Sequence, residues 1–215
     1  LISVFGTIGA KTIYDLGIKN IKIPSHETTN KKLIEYCSKN FEYIYFSAGA
    51  SESKDVIDAC NILKNGNAGF NLMHCVSSYP VKDEYANLNR INWLKTLHDD
   101  IGYSDHTQST IVPALAIMNG ATVIEKHFTL DNQLEGPDHI SSLNPKDFEK
   151  LIKMIRNVEL SLGTGEKKPS DSEYKNIQYM RRSLVARTAI KKGDTFSIEN
   201  VAAKRPADGI SPMEW

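Results

Sequence analysis

Two histidines, His106 and His127, are the residues of this chain best suited to chemistry. They lie in GYSDHT (102–107) and EKHFT (125–129), 21 residues apart, and each follows a short apolar run of the kind that forms a β-strand. Imidazole nitrogens bind Mn²⁺, Fe²⁺, Co²⁺ and Zn²⁺. With only two protein nitrogens, the other coordination positions would hold water or substrate, as at a catalytic metal site. The pair therefore favours a catalytic metal centre; the alternative is that both are packed or capping histidines.

Short apolar runs alternate with helical patterns along most of the chain. Strands are predicted at 1–5, 20–23, 43–46, 69–75, 101–103 and 122–126. Helices are predicted at 10–16, 30–40, 53–64, 87–98, 110–120 and 145–162. Glycines mark helix ends at Gly17 and Gly120, and Asn144-Pro145 marks the start of the last helix. This alternation predicts a parallel sheet covered by helices.

Two parallel architectures compete, a doubly wound open sheet and a (β/α)₈ TIM barrel. Gly6 and Gly9 lack the third glycine of a dinucleotide-binding fingerprint. Almost every predicted strand ends in a polar residue, which suits a barrel mouth to which all strands contribute, whereas an open sheet concentrates its site at one switch point. We therefore expect a barrel that lacks its first two βα units, because six strands are present where a barrel needs eight.

The polar strand ends carry serines and a lysine that can hold a phosphate by hydrogen bonds and one point charge. These residues are Ser3, Lys22, Ser25, Ser47, Ser77 and Ser104. The alternative is that the serines only cap helices. Glu27, Tyr79 and Asp138 can bind sugar hydroxyls or transfer protons. His26 and His139 have no assigned role, and His74, inside an apolar strand, is expected to be a core histidine.

Composition excludes several functions. The chain has 26 basic and 26 acidic residues, so no strong field attracts nucleic acid or an anionic membrane. No apolar run approaches the ~20 residues of a membrane span, and no signal peptide is visible. The three cysteines lack metal-site spacing and indicate a reduced, cytoplasmic protein. Leu1 and Trp215 are both expected to be cut ends, because the first begins an apolar run without methionine and the second closes an unfinished segment.

Three regions are expected along the chain. Residues 1–163 form the partial barrel, with strands 3 to 8. Residues 164–182 are polar and form a linker or a solvated helix. Residues 183–215 begin a second small domain that is not completed.

Six segments together resemble the sialic acid synthase (nonulosonic acid synthase) family, in order and over nearly the whole chain. They are IKIPSHE (21–27), MHCVSSYP (73–80), GYSDHT (102–107), VIEKHFTLD (123–131), GPDHISSLNP (136–145) and RRSLVA (181–186). The last, continued to KRPADGISP (204–212), resembles the start of that family's C-terminal antifreeze-like (SAF) domain.

The resemblance implies a (β/α)₈ barrel followed by a SAF domain. It implies condensation of phosphoenolpyruvate with an N-acetylated amino sugar, either N-acetylmannosamine or a 2,4-diacetamido hexose. The products would be sialic or legionaminic acid and phosphate, released by C–O cleavage. The metal would be Mn²⁺, or another divalent ion such as Mg²⁺ or Co²⁺, and it would activate the sugar aldehyde. The resemblance also implies a domain-swapped homodimer.

The resemblance also assigns roles to individual residues. His106 and His127 would bind the metal and act in catalysis together with Lys22 and Glu27. The substrate-binding residues would be Ser3, Ser25, Ser47, Ser77, Tyr79, Ser104, Asp138 and Arg205. Ser3 stands where the family often has threonine, Ser77 where some members have asparagine, and His26 where glycine is common. The first two βα units, which supply a glutamate and a lysine in the family, are absent, so the 215 residues alone are expected to be inactive.

Rival functions remain open. One is another phosphoenolpyruvate-using barrel, or a synthase for a different surface or spore-coat nonulosonate. GPDH followed by ISSL resembles the sialic and legionaminic branch more than the pseudaminic one. The other is a truncated, non-catalytic barrel fragment that binds carbohydrate.

Overall fold

A six-stranded parallel sheet organises the first three quarters of the chain in the computed structural model, which describes all 215 residues. Each strand pairs with the next in sequence, in the order β1 to β6. The strands are β1 (Ile2–Ser3), β2 (Asn20–Ile23), β3 (Tyr43–Ser47), β4 (Gly69–Cys75), β5 (Ile101–Asp105) and β6 (Val123–Lys126). The predicted parallel α/β sheet is therefore confirmed.

Helices connect the strands, as the alternating pattern predicts. They are α1 (Gly6–Asp15), α2 (Lys31–Asn40), α3 (Ser53–Lys64), α4 (Asn89–Leu94), α5 (Ile111–Met118) and α6 (Pro145–Leu162). Asparagine side chains cap the N-termini of α2 and α6. Asn30 accepts a hydrogen bond from the backbone N–H of Leu33, and Asn144, the predicted cap, accepts one from the backbone N–H of Asp147.

Helix α4 is much shorter than the predicted 87–98. Asn87 has φ of 43°, a left-handed conformation that cannot belong to a right-handed helix, so the helix starts later. At the other end the Thr96 hydroxyl donates to the Trp93 carbonyl at 2.7 Å, and His98 Nε2 bonds the Phe70 carbonyl at 2.7 Å. The first contact closes a turn within the segment, and the second ties its end to β4.

The sheet is strongly curled. Lys22 Nζ on β2 lies 2.5 Å from Glu125 Oε2 on β6, although three strands separate β2 from β6. In a flat sheet with strands ~4.8 Å apart, these two strands would lie about 19 Å from each other, beyond the reach of the two side chains. The six strands therefore form an arc whose concave face brings distant strands into contact.

The two faces of the arc differ in chemistry because side chains alternate along each strand. The outer face, under the helices, is apolar and belongs to the hydrophobic core; it includes Ile21, Ile23, Ile44, Phe46, Leu72 and Tyr103. The concave face carries mostly polar residues; these include Lys22, Tyr45, Ser47, Asn71, Ser104 and Glu125. Functional side chains are thus concentrated on the inside of the arc.

Asp100 joins several strands at the end of the sheet opposite the carboxyl ends. It accepts hydrogen bonds from Asn71 Nδ2 at 2.7 Å, from Thr122 Oγ1 at 2.6 Å and from the Tyr43 hydroxyl. Burial alone would raise the pKa of the Asp100 carboxyl, but these hydrogen bonds outweigh burial and hold that pKa below its ordinary value. Ionised Asp100 therefore stabilises the folded state.

We predict that Asp100→Ala lowers the free energy of unfolding at pH 7 by about 1–3 kcal/mol, because it removes three hydrogen bonds to an ionised acceptor. Since the folded-state pKa lies below the unfolded value of about 3.9, this contribution is present above that value and is lost as the pH falls through the folded-state pKa. Urea unfolding at pH 7 and at pH 3 measures it. Asp99→Ala, at an exposed neighbour, is the control; an equal effect of both substitutions at pH 7 would contradict the prediction.

The chain divides into two compact units, Leu1–Gly163 and Thr164–Trp215. The second contains α7 (Asp171–Met180), with a capping box formed by Ser170 and Glu173. It also contains an antiparallel pair, β7 (Ser183–Ala186) and β8 (Val201–Lys204). The polar segment thus includes the solvated helix that its composition allowed. No helix in either unit combines the length and apolar character needed to cross a membrane.

Candidate active site at the carboxyl ends of the strands

The carboxyl ends of the curled sheet enclose a cavity of about 180 Å³. Its walls come from every strand of the sheet or from the loop that follows it. The lining residues are Ser3, Lys22, Pro24, Ser25, His26, Ser47, Cys75, Tyr79, Ser104, His106, Glu125 and His127. Eight of these are site residues predicted from sequence, which the fold gathers from positions up to 124 residues apart.

Four predicted site residues lie outside this lining. Ser77 Oγ lies 4.0 Å from the sulfur of Cys75, and Asp138 Oδ2 lies 3.8 Å from His127 Nδ1, so both border the cavity. Glu27 accepts a hydrogen bond from Asn30 Nδ2 at 2.6 Å. Arg205 belongs to the second unit, where its Nε donates to the Met180 carbonyl at 2.8 Å.

The other two histidines discussed from sequence have structural partners. His74 is 2% exposed, lies on the outer face of β4, and its Nε2 bonds the Ala86 carbonyl at 2.7 Å. His139 Nδ1 lies 2.7 Å from the Thr129 hydroxyl. Both therefore support local structure.

His106 and His127 face each other in the cavity. Their ring centroids are 5.2 Å apart and the rings are steeply inclined at 72°. His106 Nδ1 donates to the Val76 carbonyl at 2.9 Å, which leaves Nε2 of that ring with its lone pair. Burial lowers the pKa of both histidines. Repulsion from His106, when that ring is protonated, lowers the pKa of His127 further. Both rings are therefore neutral near pH 7.

This donor set fits a metal ion with open coordination positions. Metal-binding imidazoles are neutral, and their orientation is usually fixed by a hydrogen bond from the other ring nitrogen, as the Val76 carbonyl does for His106. No group of three or more His, Cys, Asp or Glu residues is arranged to hold a metal ion. A metal ion held by this pair would need water or substrate as its other ligands, as a catalytic ion does.

A buried ion pair lies directly behind the two histidines. Lys126 Nζ is 2.6 Å from Asp105 Oδ2, the two side chains are 1% and 0% exposed, and the residues are direct neighbours across β5 and β6. Asp105 also accepts from the Thr107 backbone N–H at 2.9 Å and the Tyr103 hydroxyl at 3.0 Å. Lys126 also donates to the Thr107 carbonyl. The pair thus fixes the strand ends from which both imidazoles project.

We predict that Lys126→Met lowers the free energy of unfolding by about 3–5 kcal/mol, because it leaves the Asp105 charge buried without a partner. The double variant Asp105→Asn, Lys126→Met should be more stable than Lys126→Met, since the uncompensated charge is gone. Urea unfolding of the three chains measures this. Lys153→Met, which removes an exposed partner of Glu149, is the matched control; a double variant no more stable than the single one would contradict the prediction.

Glu125 is a site residue that sequence reasoning missed. Its Oε2 accepts from Lys22 Nζ at 2.5 Å and its Oε1 from Ser104 Oγ at 2.7 Å. Burial would raise the pKa of this carboxyl, but the charge of Lys22 and the two hydrogen bonds hold the pKa below its ordinary value. The signal was present in the sequence: Glu125 stands two residues before His127, and residues two apart on a strand share a face.

Small hydroxyl residues form a cradle beside Lys22. Ser47 Oγ is buried and has no hydrogen-bond partner, and Ser25 Oγ accepts from the Gly49 backbone N–H at 3.0 Å. A Cβ on Gly49 would lie 2.5 Å from Ser77 Oγ, 2.8 Å from Ser25 Oγ and 3.0 Å from the sulfur of Cys75. The missing side chain of Gly49 thus keeps this space open. A buried hydroxyl without a partner is uncommon and indicates a position for a ligand.

Fold and cavity together define a parallel α/β protein whose site lies at the carboxyl ends of its strands. Residues 1–167 match the model of the NeuB family, and residues 181–215 match the model of the SAF domain. The chain belongs to the NeuB family, which confirms the resemblance seen in its motifs.

Named relatives agree with this family. The chain is 43% identical over 205 residues to an N,N'-diacetyllegionaminic acid synthase of Campylobacter jejuni, covering 94% of this chain and 61% of the relative. It is 40% identical to the enzyme of the same name from Legionella pneumophila, over 94% and 58% of the two chains. The crystal structure of an N-acetylneuraminic acid synthetase from Leptospira borgpetersenii superposes with a TM-score of 0.77 at 34% identity, over 81% and 62%. The chain thus spans about 60% of the length of these curated relatives.

Proposed function

We propose that this cavity belongs to an enzyme that condenses phosphoenolpyruvate with an N-acetylated amino sugar to give a nonulosonic acid and phosphate. One observation carries the proposal: a lysine and a cradle of serine hydroxyls adjoin two neutral imidazoles in a single cavity. The first set suits a phosphate and the second a divalent metal. The names of the relatives, which are synthases of such acids, support this combination.

The phosphate of phosphoenolpyruvate would bind where Lys22 meets the serines. Lys22 supplies one positive charge, and Ser25, Ser47 and Ser104 supply short hydroxyls, with Ser3 at the first strand end. The unpartnered Ser47 hydroxyl would donate to a phosphate oxygen. Because leaving such a group unpaired costs about 1–3 kcal/mol, the site favours a ligand with acceptors at this point.

His106 and His127 would hold the metal, for which we propose Mn²⁺ or another divalent ion such as Mg²⁺ or Co²⁺. When bound, it would act as a Lewis acid toward the open-chain aldehyde of the sugar. Tyr79, Ser77 and Asp138 border this side of the cavity and would bind the sugar hydroxyls. Asp138 lies near His127 and would also orient that ring.

Glu27 and Arg205 are further proposed sugar contacts. Glu27 is held by Asn30, which also caps α2, so its carboxylate has a defined position next to Ser25. Arg205 would contact the N-acetyl group in a domain-swapped homodimer. Arg205 of this unit bonds the Met180 carbonyl through Nε, which leaves other guanidinium N–H groups available.

The proposed reaction forms one carbon–carbon bond and breaks the C–O bond to phosphate. The methylene carbon of phosphoenolpyruvate forms a carbon–carbon bond to the sugar aldehyde carbon, whose oxygen takes a proton and becomes a hydroxyl. Water adds to the former enol carbon, and the C–O bond to phosphate then breaks, which releases phosphate. A 2,4-diacetamido hexose is favoured over N-acetylmannosamine as the sugar, because both curated relatives described above are named N,N'-diacetyllegionaminic acid synthases.

We further propose that the six strands are strands 3 to 8 of an eight-stranded barrel. The sheet is already curled, and its edge strands β1 and β6 are unpaired on their outer sides. Apolar residues near both edges are exposed, including Phe5 at 57% and Phe128 at 53%. Two further βα units would pair both edges and cover such surfaces.

The proposal is tested by phosphate release from phosphoenolpyruvate with N-acetylmannosamine and with 2,4-diacetamido hexoses. We expect release by the gene product that contains this sequence, and none by the 215-residue chain, whose sheet edges are open. In the active gene product, His106→Ala and His127→Ala should each abolish metal-dependent phosphate release. His98→Gln, at the opposite end of the sheet, should leave it unchanged. Near-normal activity in either cavity variant would remove the metal role, and release that needs no amino sugar would refute the condensation.

The cradle gives a second prediction. Gly49→Ala should weaken phosphate binding about tenfold or more, because the added methyl group takes the space between Ser25 and Ser77. Isothermal titration of the 215-residue chain with inorganic phosphate measures the dissociation constant. Gly9→Ala is the control, since a Cβ there meets no atom within 4 Å. Unchanged affinity in a folded Gly49→Ala chain would show that the phosphate does not lie in the cradle.

A further inference from the structure

We infer that Glu125 is an internal anion that occupies the phosphate position of the cavity and is displaced when phosphate or a phosphate ester binds. The inference rests on the proposed function, because it concerns the same phosphate site. It adds a competitor within the protein that sets the affinity of that site.

The hydrogen bonds of Glu125 carry the inference. One carboxylate oxygen accepts from Lys22 Nζ at 2.5 Å and the other from Ser104 Oγ at 2.7 Å. Lys22 and Ser104 are two of the groups that the proposed function assigns to phosphate. A phosphate cannot take both donors while Glu125 retains them, since Ser104 has a single hydroxyl proton. Binding is therefore an exchange of one anion for another.

The burial of the two partners explains why the carboxylate is needed and how it can leave. The Lys22 side chain is only 5% exposed, and its other contact is the sulfur of Met73 at 3.5 Å. A buried ammonium group without a counter-charge is costly, so Lys22 needs an anion from the protein whenever no ligand supplies one. The Glu125 side chain is 39% exposed, so its carboxylate can turn toward water in the cavity at a smaller cost.

This exchange affects which ligands bind and how products leave. A singly charged anion only replaces the charge that Glu125 already supplies. A doubly charged phosphate brings more charge, and it also offers acceptors to the Ser47 hydroxyl, which has no partner within the protein. Once phosphate has been cleaved from the product, return of Glu125 to Lys22 and Ser104 would favour its release. Glu125 therefore lowers affinity for free phosphate and promotes turnover.

The experiment titrates inorganic phosphate into the 215-residue chain and into Glu125→Gln at one pH and ionic strength, by calorimetry. We expect the variant to bind phosphate about tenfold more tightly, because the competing charge is removed. Glu125→Asp, which keeps the charge but shortens the reach to Lys22, should lie between the two and serves if Glu125→Gln does not fold. Glu159→Gln, which removes one exposed negative charge on α6, is the control and should bind like the parent chain.

The outcomes separate the inference from the function on which it rests. If the parent chain binds phosphate and Glu125→Gln binds it equally or more weakly, the competition is refuted and the phosphate site stands. If neither the parent chain nor the folded variants bind phosphate, the proposed phosphate site falls as well. An equal gain in Glu159→Gln would attribute the effect to net charge and would also overturn the inference.

Discussion

The ion pair between Lys22 and Glu125 is the interaction on which the electrostatics of this site depend. It joins the second and sixth strands across the inside of the arc, at 2.5 Å, and so requires the sheet to be curled. Curling brings six strand ends around one cavity, to which each contributes at least one side chain. The same pair neutralises a lysine that is almost wholly buried. The curl of the sheet therefore lets one contact between residues 103 positions apart set the charge balance of the cavity.

The sheet has an apolar outer face and a polar concave face. The outer face is apolar because helices cover it, and the concave face is polar because the cavity lies there. Lys22 stands between Ile21 and Ile23 on β2, and all three residues are buried. A charged side chain therefore alternates with apolar ones along a strand segment that is hidden from solvent. The alternation of side chains along a strand then places Glu125 and His127 on the same inner face.

Much of this could be predicted from sequence because the signals are local. The bounds of β2, β4 and α3 follow from apolar periodicity and from turn residues, and Asn144-Pro145 marks the start of α6. The strand ends also identified eight cavity residues, since parallel strands end at the same edge. Helix α4 was predicted too long, because the left-handed conformation of Asn87 depends on its surroundings.

Glu125, Asp105 and Lys126 could not be identified in the same way. Each acts through a partner on another strand: Glu125 through Lys22, and Asp105 through Lys126. Pairing between such distant positions has no signature in a single sequence, although all three residues lie within two positions of a predicted histidine.

Hydrogen-bonded networks elsewhere in the sheet offset the cost of the buried polar groups that line the cavity. Ser47 keeps a buried hydroxyl without a partner, and Lys22 keeps a buried charge that a ligand must take over. Such groups cost stability in the absence of a ligand. Asp100, at the opposite end of the sheet, has three hydrogen-bond donors, and the Asp105–Lys126 pair is buried and hydrogen-bonded beneath the histidines. These polar networks thus hold the strand ends in place, while the Ser47 hydroxyl at the carboxyl ends is left for the acceptor that a phosphate ligand would supply.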